Sequence, residues 1–259
     1  SGESMSEAGA SDDHATREVT IRFPQVDPAG IVFYPRYFEI VQRAFPTVPF
    51  TSLPCGVKTQ FLRPNRFGDR IELGFERGES MADWSVTGNM AGDRYFSMTP
   101  LEAGDAEVSY RASKSARFAT TETVVGDWCV GAAGQLQLSR YFELLNMAIE
   151  EWFESVLDLP FAELHVARRI GIPTVQFDTR AHSLPRLGDK FAIRIQVVNL
   201  GRRAMTFTSW LVDDDQCHVS NEQVIVFVRM LDEGFESIDI PDAIRAAFQQ
   251  QMDEAHVAT

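Results

Sequence analysis

Two stretches of the chain carry the apolar spacing of a helix with one buried face. In the first stretch the apolar positions are Tyr37, Ile40, Val41, Ala44 and Phe45. In the second stretch they are Tyr141, Leu144, Leu145, Ala148 and Ile149, followed by Trp152 and Val156. Pro35 suits the start of the first helix, because its ring presets φ and the N–H that it lacks would have no partner there. The spacing therefore predicts helices over Pro35–Phe45 and Leu138–Leu157.

Alternation of apolar and polar residues predicts five strands in each half of the chain. The strands of the first half are Arg17–Pro24, Val57–Leu62, Arg70–Arg77, Trp84–Met90 and Arg94–Leu101. Those of the second half are Ala116–Val125, Pro173–Ala181, Lys190–Leu200, Arg203–Val212 and His218–Leu231. Asp105–Lys114 fits either a further strand or a linker. Ser1–Thr16, which has no periodicity, is expected to be a disordered leader, and Pro241–His256 a surface helix.

The two halves repeat one pattern. Gly134 aligns with Gly30, and Arg140–Glu143 aligns with Arg36–Glu39, at an offset of about 104 positions. Later in the pattern the offset grows to about 120, so the first copy is shorter after its helix. An antiparallel sheet with one apolar face can cover the buried stripe of such a helix. We therefore predict an α+β protein with repeats at 17–104 and 116–240, joined by a linker at 105–115.

The composition narrows the functional classes. The chain has 259 residues, 44% of them hydrophobic, and 19 Phe, which is enough for a large core. Its formal net charge of −13 argues against nucleic acid as a partner. The three cysteines are widely spaced and fit neither a disulfide framework nor a zinc site. Without an apolar run of membrane-spanning length or a signal peptide, we expect a cytoplasmic protein with no membrane partner.

The loop before the first helix holds the most unusual polar residue. Asp27 lies between apolar neighbours a few residues ahead of the helix start at Tyr34-Pro35. Asp27-Pro28 could be an ordinary turn, since this pair is common in turns. Alternatively, a carboxylate beside a helix N-terminus could act on a ligand there. Gly30 would let the backbone approach such a ligand closely.

The sequence VDPAGIVFYPRYF at Val26–Phe38 resembles the active-site signature of the 4-hydroxybenzoyl-CoA thioesterase family. Further segments resemble turns of the same family: Arg63-Pro64, Arg66–Asp69, Gly171–Pro173, Leu187–Asp189 and Gly201–Arg203. The resemblance implies the hotdog fold, a long helix wrapped by a curled antiparallel sheet, here as a tandem double hotdog. It also implies hydrolysis of an acyl-CoA to the free acid and CoA. No cofactor is then needed beyond the CoA of the substrate, no metal is implied, and the pseudo-dimeric chains are expected to form a homo-oligomer.

The resemblance implies roles for particular residues. Asp27 would be the nucleophile or the general base, and the backbone N–H at Tyr34 would polarise the thioester carbonyl. The expected substrate-binding residues are Pro28, Gly30, Ile31, Val32, Phe33, Arg202 and Arg203. The two arginines follow a turn glycine and could bind a CoA phosphate, although paired arginines on a hairpin are commonly just solvated.

The second copy departs from this pattern where the chemistry would lie. Gly131 stands at the position of Asp27, and Leu138-Ser139 at that of Tyr34-Pro35. We therefore expect one working site, between the repeats, with second-copy strand residues within Gln176–His182 near the first loop. Two other functions remain open. One is a non-catalytic acyl-binding or assembly module. The other is a hotdog dehydratase or hydratase, against which the absence of His in Arg17–Leu62 argues.

Overall fold

The computed structural model describes residues 14–80, 82–232 and 234–257. The first repeat contains helix α1 (Pro35–Ala44) and strands β1 (His14–Thr20), β2 (Cys55–Phe61), β3 (Arg70–Arg77), β4 (Trp84–Met90) and β5 (Asp93–Pro100). A linker helix, α2 (Ala106–Ser113), follows. The second repeat contains helix α3 (Leu138–Leu157), nine strands, and a C-terminal helix α4 (Asp242–Val257). Its strands are β6 (Phe118–Ala119), β7 (Thr123–Val124), β8 (Ile170–Gly171), β9 (Thr174–Ala181), β10 (Lys190–Leu200), β11 (Ala204–Val212), β12 (Cys217–Val226), β13 (Val228–Met230) and β14 (Phe235–Ser237).

One sheet of 11 strands runs through both repeats. Its order is β1-β3-β4-β5-β2-β9-β12-β11-β10-β6, with β7 also paired to β10, and every pairing is antiparallel. The repeats meet where β2 pairs with β9, from Cys55 opposite Ala181 to Gln60 opposite Gln176. From this junction outward, the first repeat has the order β2-β5-β4-β3-β1 and the second has the order β9-β12-β11-β10-β6. Equivalent strands therefore occupy equivalent positions in the two halves. This confirms the predicted α+β double hotdog.

The two helices pack side by side against this sheet. Phe38 of α1 and Phe142 of α3, which are equivalent residues, have ring centroids 4.4 Å apart. Both rings also contact Phe177 of β9. Burying one such side chain typically stabilises a fold by about 1.5–3 kcal/mol. Because equivalent residues meet here, the pseudo-twofold axis that relates the repeats passes close to this aromatic cluster.

The predicted helix boundaries agree closely with the structure, whereas the predicted leader extends too far into the chain. Strand β1 begins at His14, so residues 14–16 are not part of a leader, because they pair with β3; residues 1–13 lie outside the described residues. Asp105–Lys114, for which a strand or a linker was expected, forms no strand and joins the repeats as a helix. Its Asp105 side chain accepts hydrogen bonds from the backbone N–H groups of Glu107 and Val108 and so caps helix α2.

Two further strand predictions were only partly right. The single strand predicted over Ala116–Val125 is divided into β6 and β7. The strand predicted over His218–Leu231 is interrupted at Phe227, between β12 and β13. Within the described part of the chain, no helix is long and apolar enough to cross a bilayer.

Helix α4 is more than a surface helix. Its Phe248 is fully buried and packs on Trp152 and Phe153 of α3, with ring centroids 5.0 and 4.9 Å apart. The indole Nε1 of Trp152 donates to Gln251 Oε1 at 2.8 Å. This contact covers the second half of α3, a part of the helix that has no counterpart in the shorter α1.

Candidate active site

The loop that carries Asp27 folds on itself. The Asp27 N–H donates to Ile31 O at 2.8 Å, and the Gly30 N–H donates to Asp27 O at 2.9 Å. Gly30 has φ +75°, a region that side chains disfavour, which explains the glycine at this position. Asp27 Oδ1 accepts from the N–H groups of Ala29 and Ile31, at 2.8 and 3.3 Å. Asp27 Oδ1 thus stabilises the loop conformation, and Asp27 Oδ2 accepts no hydrogen bond from the described residues.

The environment of Asp27 makes its carboxylate a stronger base than an exposed one. Burial raises its pKa above the usual range, while the N–H groups of Ile31 and Ala29 and the charge of His165 lower it in part. The net effect is a raised pKa. General-base catalysis benefits when the pKa of the base moves towards the working pH.

Helix α1 begins beside this loop. Pro35 has no N–H, the Arg36 N–H donates to Phe33 O at 2.8 Å, and no described acceptor lies opposite the Tyr34 N–H. The first N–H groups of a helix have no intrahelical partner and lie at the positive end of its dipole. The start of α1 therefore supplies a donor that can stabilise negative charge on a carbonyl oxygen.

The Tyr34 side chain is held by packing. Its ring lies against Phe33 and Phe177, with centroids 5.5 and 5.3 Å away. Burial raises the pKa of its hydroxyl, with a small opposing effect from Gln223. Neither Tyr34 Oη nor Gln223 Oε1 makes a hydrogen bond of good geometry. The contact with Phe177 shows that β9 of the second repeat does reach the first loop, within the expected segment Gln176–His182.

The second repeat also brings acidic and histidine side chains that the sequence analysis missed. Glu150 of α3 accepts from Asn146 Nδ2 at 2.9 Å, and burial raises its pKa. His165, in the turn after α3, lies near enough to both Asp27 and Glu150 for its charge to lower their pKa values. Its ring stacks on Phe161, and its buried Nδ1 has no partner among the described groups. Asn146 and Glu150 could have been singled out from the sequence, because they are polar residues four positions apart on a largely apolar helix. No pattern in the sequence indicated that His165 lies near them.

The remaining predicted residues divide into three groups. Val32 is buried in the core, and its N–H donates to Asn65 O at 2.8 Å. Pro28 is exposed, and Ile31 and Phe33 are half-buried around the loop. The two arginines lie in the β10–β11 hairpin, and no described hydrogen bond or ion pair joins them to the loop. The Nε atoms of Arg202 and Arg203 donate to Asp239 at 2.8 and 2.9 Å, so phosphate binding there stays a prediction.

The loop of the second copy has the same backbone but lacks the acid. The Gly131 N–H donates to Gln135 O and the Gly134 N–H to Gly131 O, each at 2.9 Å. Gly134 has φ +69°, close to that of Gly30. A Cβ added at Gly131 would lie 3.2 Å from Gln137 Nε2, so the Gln137 side chain partly fills the space that an acid would take.

A Ser-His-Asp chain lies elsewhere, at the end of β9. Ser183 Oγ is 2.8 Å from His218 Nδ1, and His218 Nε2 is 3.0 Å from Asp213 Oδ2. The imidazole of His218 is 4% exposed, and Asp213 Oδ1 accepts from the N–H groups of Asp215 and Gln216. These contacts fix the β11–β12 turn against the loop after β9, which is a structural role.

Fold and loop together define a double hotdog with one acid-bearing loop at the start of one of its two central helices. Residues 125–248, most of the second repeat, match the family model of the thioesterase-like superfamily. This match agrees with the expected class of thioester hydrolase. A search of the curated proteins finds no match to the sequence.

Solved structures extend the likeness across both repeats. A protein from Lactobacillus plantarum assigned as an oleoyl thioesterase has TM-score 0.58 and 11% identity, covering 85% of this chain and 97% of its own. A gentisyl-coenzyme A thioesterase covers 51% of this chain and 99% of its own, with 19% identity and TM-score 0.45. A mutant 4-hydroxybenzoyl CoA thioesterase complexed with 4-hydroxybenzoyl CoA covers 50% and 96%, with 16% identity and TM-score 0.46. At these identities the Lactobacillus structure shows a shared fold and no more.

Proposed function

We propose that the protein hydrolyses an acyl-CoA thioester at a single site centred on Asp27. The observation that carries the proposal is the half-buried Asp27 carboxylate, held by its own loop beside the free Tyr34 N–H at the start of α1. A thioester carbonyl needs a nucleophile or base near its carbon and a donor near its oxygen. Asp27 supplies the first requirement and the Tyr34 N–H the second. The match to a thioesterase-like family model supports the same reaction.

Two chemical routes use this arrangement. In one, Asp27 attacks the carbonyl carbon, the thiolate of CoA leaves, and water cleaves the resulting anhydride. In the other, Asp27 takes a proton from a water molecule, which attacks the carbonyl carbon as the thiolate leaves. A single turnover in ¹⁸O-labelled water distinguishes the routes when the water attacks the Asp27 carboxyl carbon of the anhydride. In that case the label enters Asp27 and the product carries unlabelled oxygen, whereas the second route places the label in the product.

The proposal is tested with Asp27→Asn, which keeps an oxygen able to accept the Ala29 and Ile31 N–H groups. Loss of a general base typically costs about 10²–10⁴-fold in rate. We expect kcat/KM to fall by at least about 100-fold in a thiol-release assay across aromatic and aliphatic acyl-CoAs. Asp189→Asn is the matched control, since Asp189 Oδ2 only caps a turn by accepting the Arg186 N–H at 2.7 Å. Turnover by Asp27→Asn at the level of the control would refute the proposal.

One observation favours a second candidate. A hotdog hydratase or dehydratase relies on a histidine paired with an acid. Arg17–Leu62 contains no His, but the charge of His165, in the other repeat, acts on Asp27. Hydration of an enoyl-CoA, followed by the loss of its absorbance, tests this alternative. If His165→Gln and Asp27→Asn both abolish hydration while thiol release is absent from the wild type, the hydratase replaces the thioesterase.

A further inference from the structure

A cavity of about 560 Å³ lies beside the loop of the second copy. It is lined by the end of α1, the segment after it, the start of α3 and one residue after β9: Glu39, Gln42, Arg43, Pro46, Phe50, Thr51, Leu136, Gln137, Leu138, Ser139 and Leu184. Gln137 and Leu138 are the equivalents of Phe33 and Tyr34. The cavity is therefore the pseudo-symmetric counterpart of the Asp27 site.

The difference in helix length explains why space remains there. Helix α3 has 20 residues and α1 has 10. At about 1.5 Å per residue, roughly 15 Å of helix is missing beyond Ala44. By the pseudo-twofold relation, Glu150 of α3 would correspond to Pro46 after α1, where the chain has already left the helix. Pro46, which lines the cavity, thus stands where α3 carries the acid Glu150.

The cavity has the chemical features of a small-molecule site. Its volume is within the range of about 300–1,000 Å³ that such sites usually have. Its walls combine apolar side chains with a few polar groups, and Arg43 forms no ion pair among the described residues. The first N–H groups of α3 have no intrahelical partner, as at the start of α1. The loop has no counterpart of the Asp27 carboxylate, because Gly131 stands in that place.

We infer that this cavity is a second acyl-CoA site, which holds the thioester carbonyl at the start of α3 and does not hydrolyse it. The inference rests on the proposed function, because it takes its ligand from the Asp27 site. Gly131 does not adopt a positive φ, so a side chain fits its backbone. The nearest obstacle to a new Cβ is the end of the flexible Gln137 side chain.

Binding stoichiometry gives the first test. A thioether analogue of an acyl-CoA, which cannot be hydrolysed, is titrated by calorimetry into the full-length wild-type protein. We expect two equivalents per chain. Gln42→Trp, which fills the cavity from the exposed side of α1, should reduce binding to one equivalent and change kcat/KM at the Asp27 site by less than about twofold. One equivalent in the wild-type protein would overturn the inference.

Moving the acid gives the second test. In the Asp27→Asn background, Gly131→Asp combined with Gln137→Phe gives the second loop the counterparts of Asp27 and Phe33. We expect thiol release to recover at least tenfold over Asp27→Asn alone. A folded variant, judged by its circular dichroism, that shows no recovery would overturn the inference. The proposed function has its own test, which is the turnover of the Asp27→Asn single variant. Neither the binding stoichiometry nor the rescue by Gly131→Asp enters that test.

Discussion

The loops before α1 and α3 share a backbone and differ in their side chains. Both close with the same two hydrogen bonds and place a glycine at positive φ. Asp27 accepts two N–H groups of its own loop, yet the second loop forms with Gly131 in that place. The acid is therefore not required for the loop to fold. A half-buried carboxylate that the fold does not need, and whose desolvation is unfavourable, is better explained by function.

The helices that complete the two sites differ as well. After the long α3, the chain brings His165 near enough to Asp27 for its charge to act on that carboxylate. The short α1 stops at Ala44 and leaves a cavity beside the loop that lacks the acid. Each loop is thus completed by the helix of the other repeat. The two loops therefore differ in the length of the helix beside them as well as in their side chains.

The largest expected contrast comes from the paired substitutions Gly30→Ala and Gly134→Ala. No atom lies within 4 Å of a Cβ at either position, so the effect is backbone strain alone. An L-residue in the left-handed region costs about 1–2 kcal/mol, and both variants should lose that much stability to urea. Only Gly30→Ala should also lower kcat/KM, by more than about tenfold, because small displacements of Asp27 are costly to catalysis. Equal activity of the two variants would show that the loops are functionally alike.

A second contrast concerns the ion pairs between the helices. Glu143 accepts from Arg36 at 2.7 Å and from Arg140 at 3.0 Å, whereas its equivalent Glu39 accepts from Arg36 alone. We expect Glu143→Gln to lower the free energy of unfolding by roughly 1–2 kcal/mol. Glu39→Gln should cost no more than about 0.5 kcal/mol. Urea unfolding measures both values, and a larger loss for Glu39→Gln would contradict this description of the helix pair.

A third prediction concerns pH. Because burial raises the pKa of Asp27, we expect the ionised form that the proposed reaction uses to be lost on acidification at a pH above the usual range for Asp. The charge of His165 lowers the Asp27 pKa, so His165→Gln should move the acidic limb of the kcat/KM profile to higher pH. His14→Gln, on the exposed strand β1, is the control and should leave the limb in place. A limb unaffected by His165→Gln would exclude electrostatic coupling between the repeats at this site.

The same raised pKa has a consequence for stability. The folded protein binds the Asp27 proton more tightly than the unfolded chain does. Asp27 therefore contributes stability at low pH that is lost as the pH rises through its folded-state pKa. Asp27→Asn should remove this dependence, which urea unfolding at several pH values can detect.

The smallest effect is expected for Tyr34→Phe. The Tyr34 hydroxyl is buried without a well-formed hydrogen bond, and we assign the role of this residue to its backbone N–H. Both kcat/KM and the free energy of unfolding should stay close to the wild-type values. Tyr37→Phe is the contrast, because its hydroxyl donates to Asn65 Oδ1 at 3.0 Å and its loss should cost about 1–3 kcal/mol. A marked loss of activity in Tyr34→Phe would give the hydroxyl a catalytic role.

Parts of this structure could be predicted from local patterns. The apolar stripe fixed the position of α3, and alternation located β3, β4 and β10 at their observed bounds. Local patterns failed where pairing or capping by another segment decides the conformation. Residues 14–16 form a strand because they pair with β3, although their composition shows no strand pattern. Residues 106–113 form a helix capped by Asp105, although their apolar positions show no clear helical period.

The sequence by itself determined that the chain is an internal duplication, that each copy holds a glycine-containing loop before a helix, and that only one copy has an acid there. These features are local, since spacing and turn chemistry depend on neighbours along the chain. Only the tertiary structure decided that Phe177 and His165 approach the acid-bearing loop, and that the end of α1 leaves a cavity at the other. Those contacts join residues far apart in sequence, and they follow from the pairing of β2 with β9 and the packing of Phe38 on Phe142.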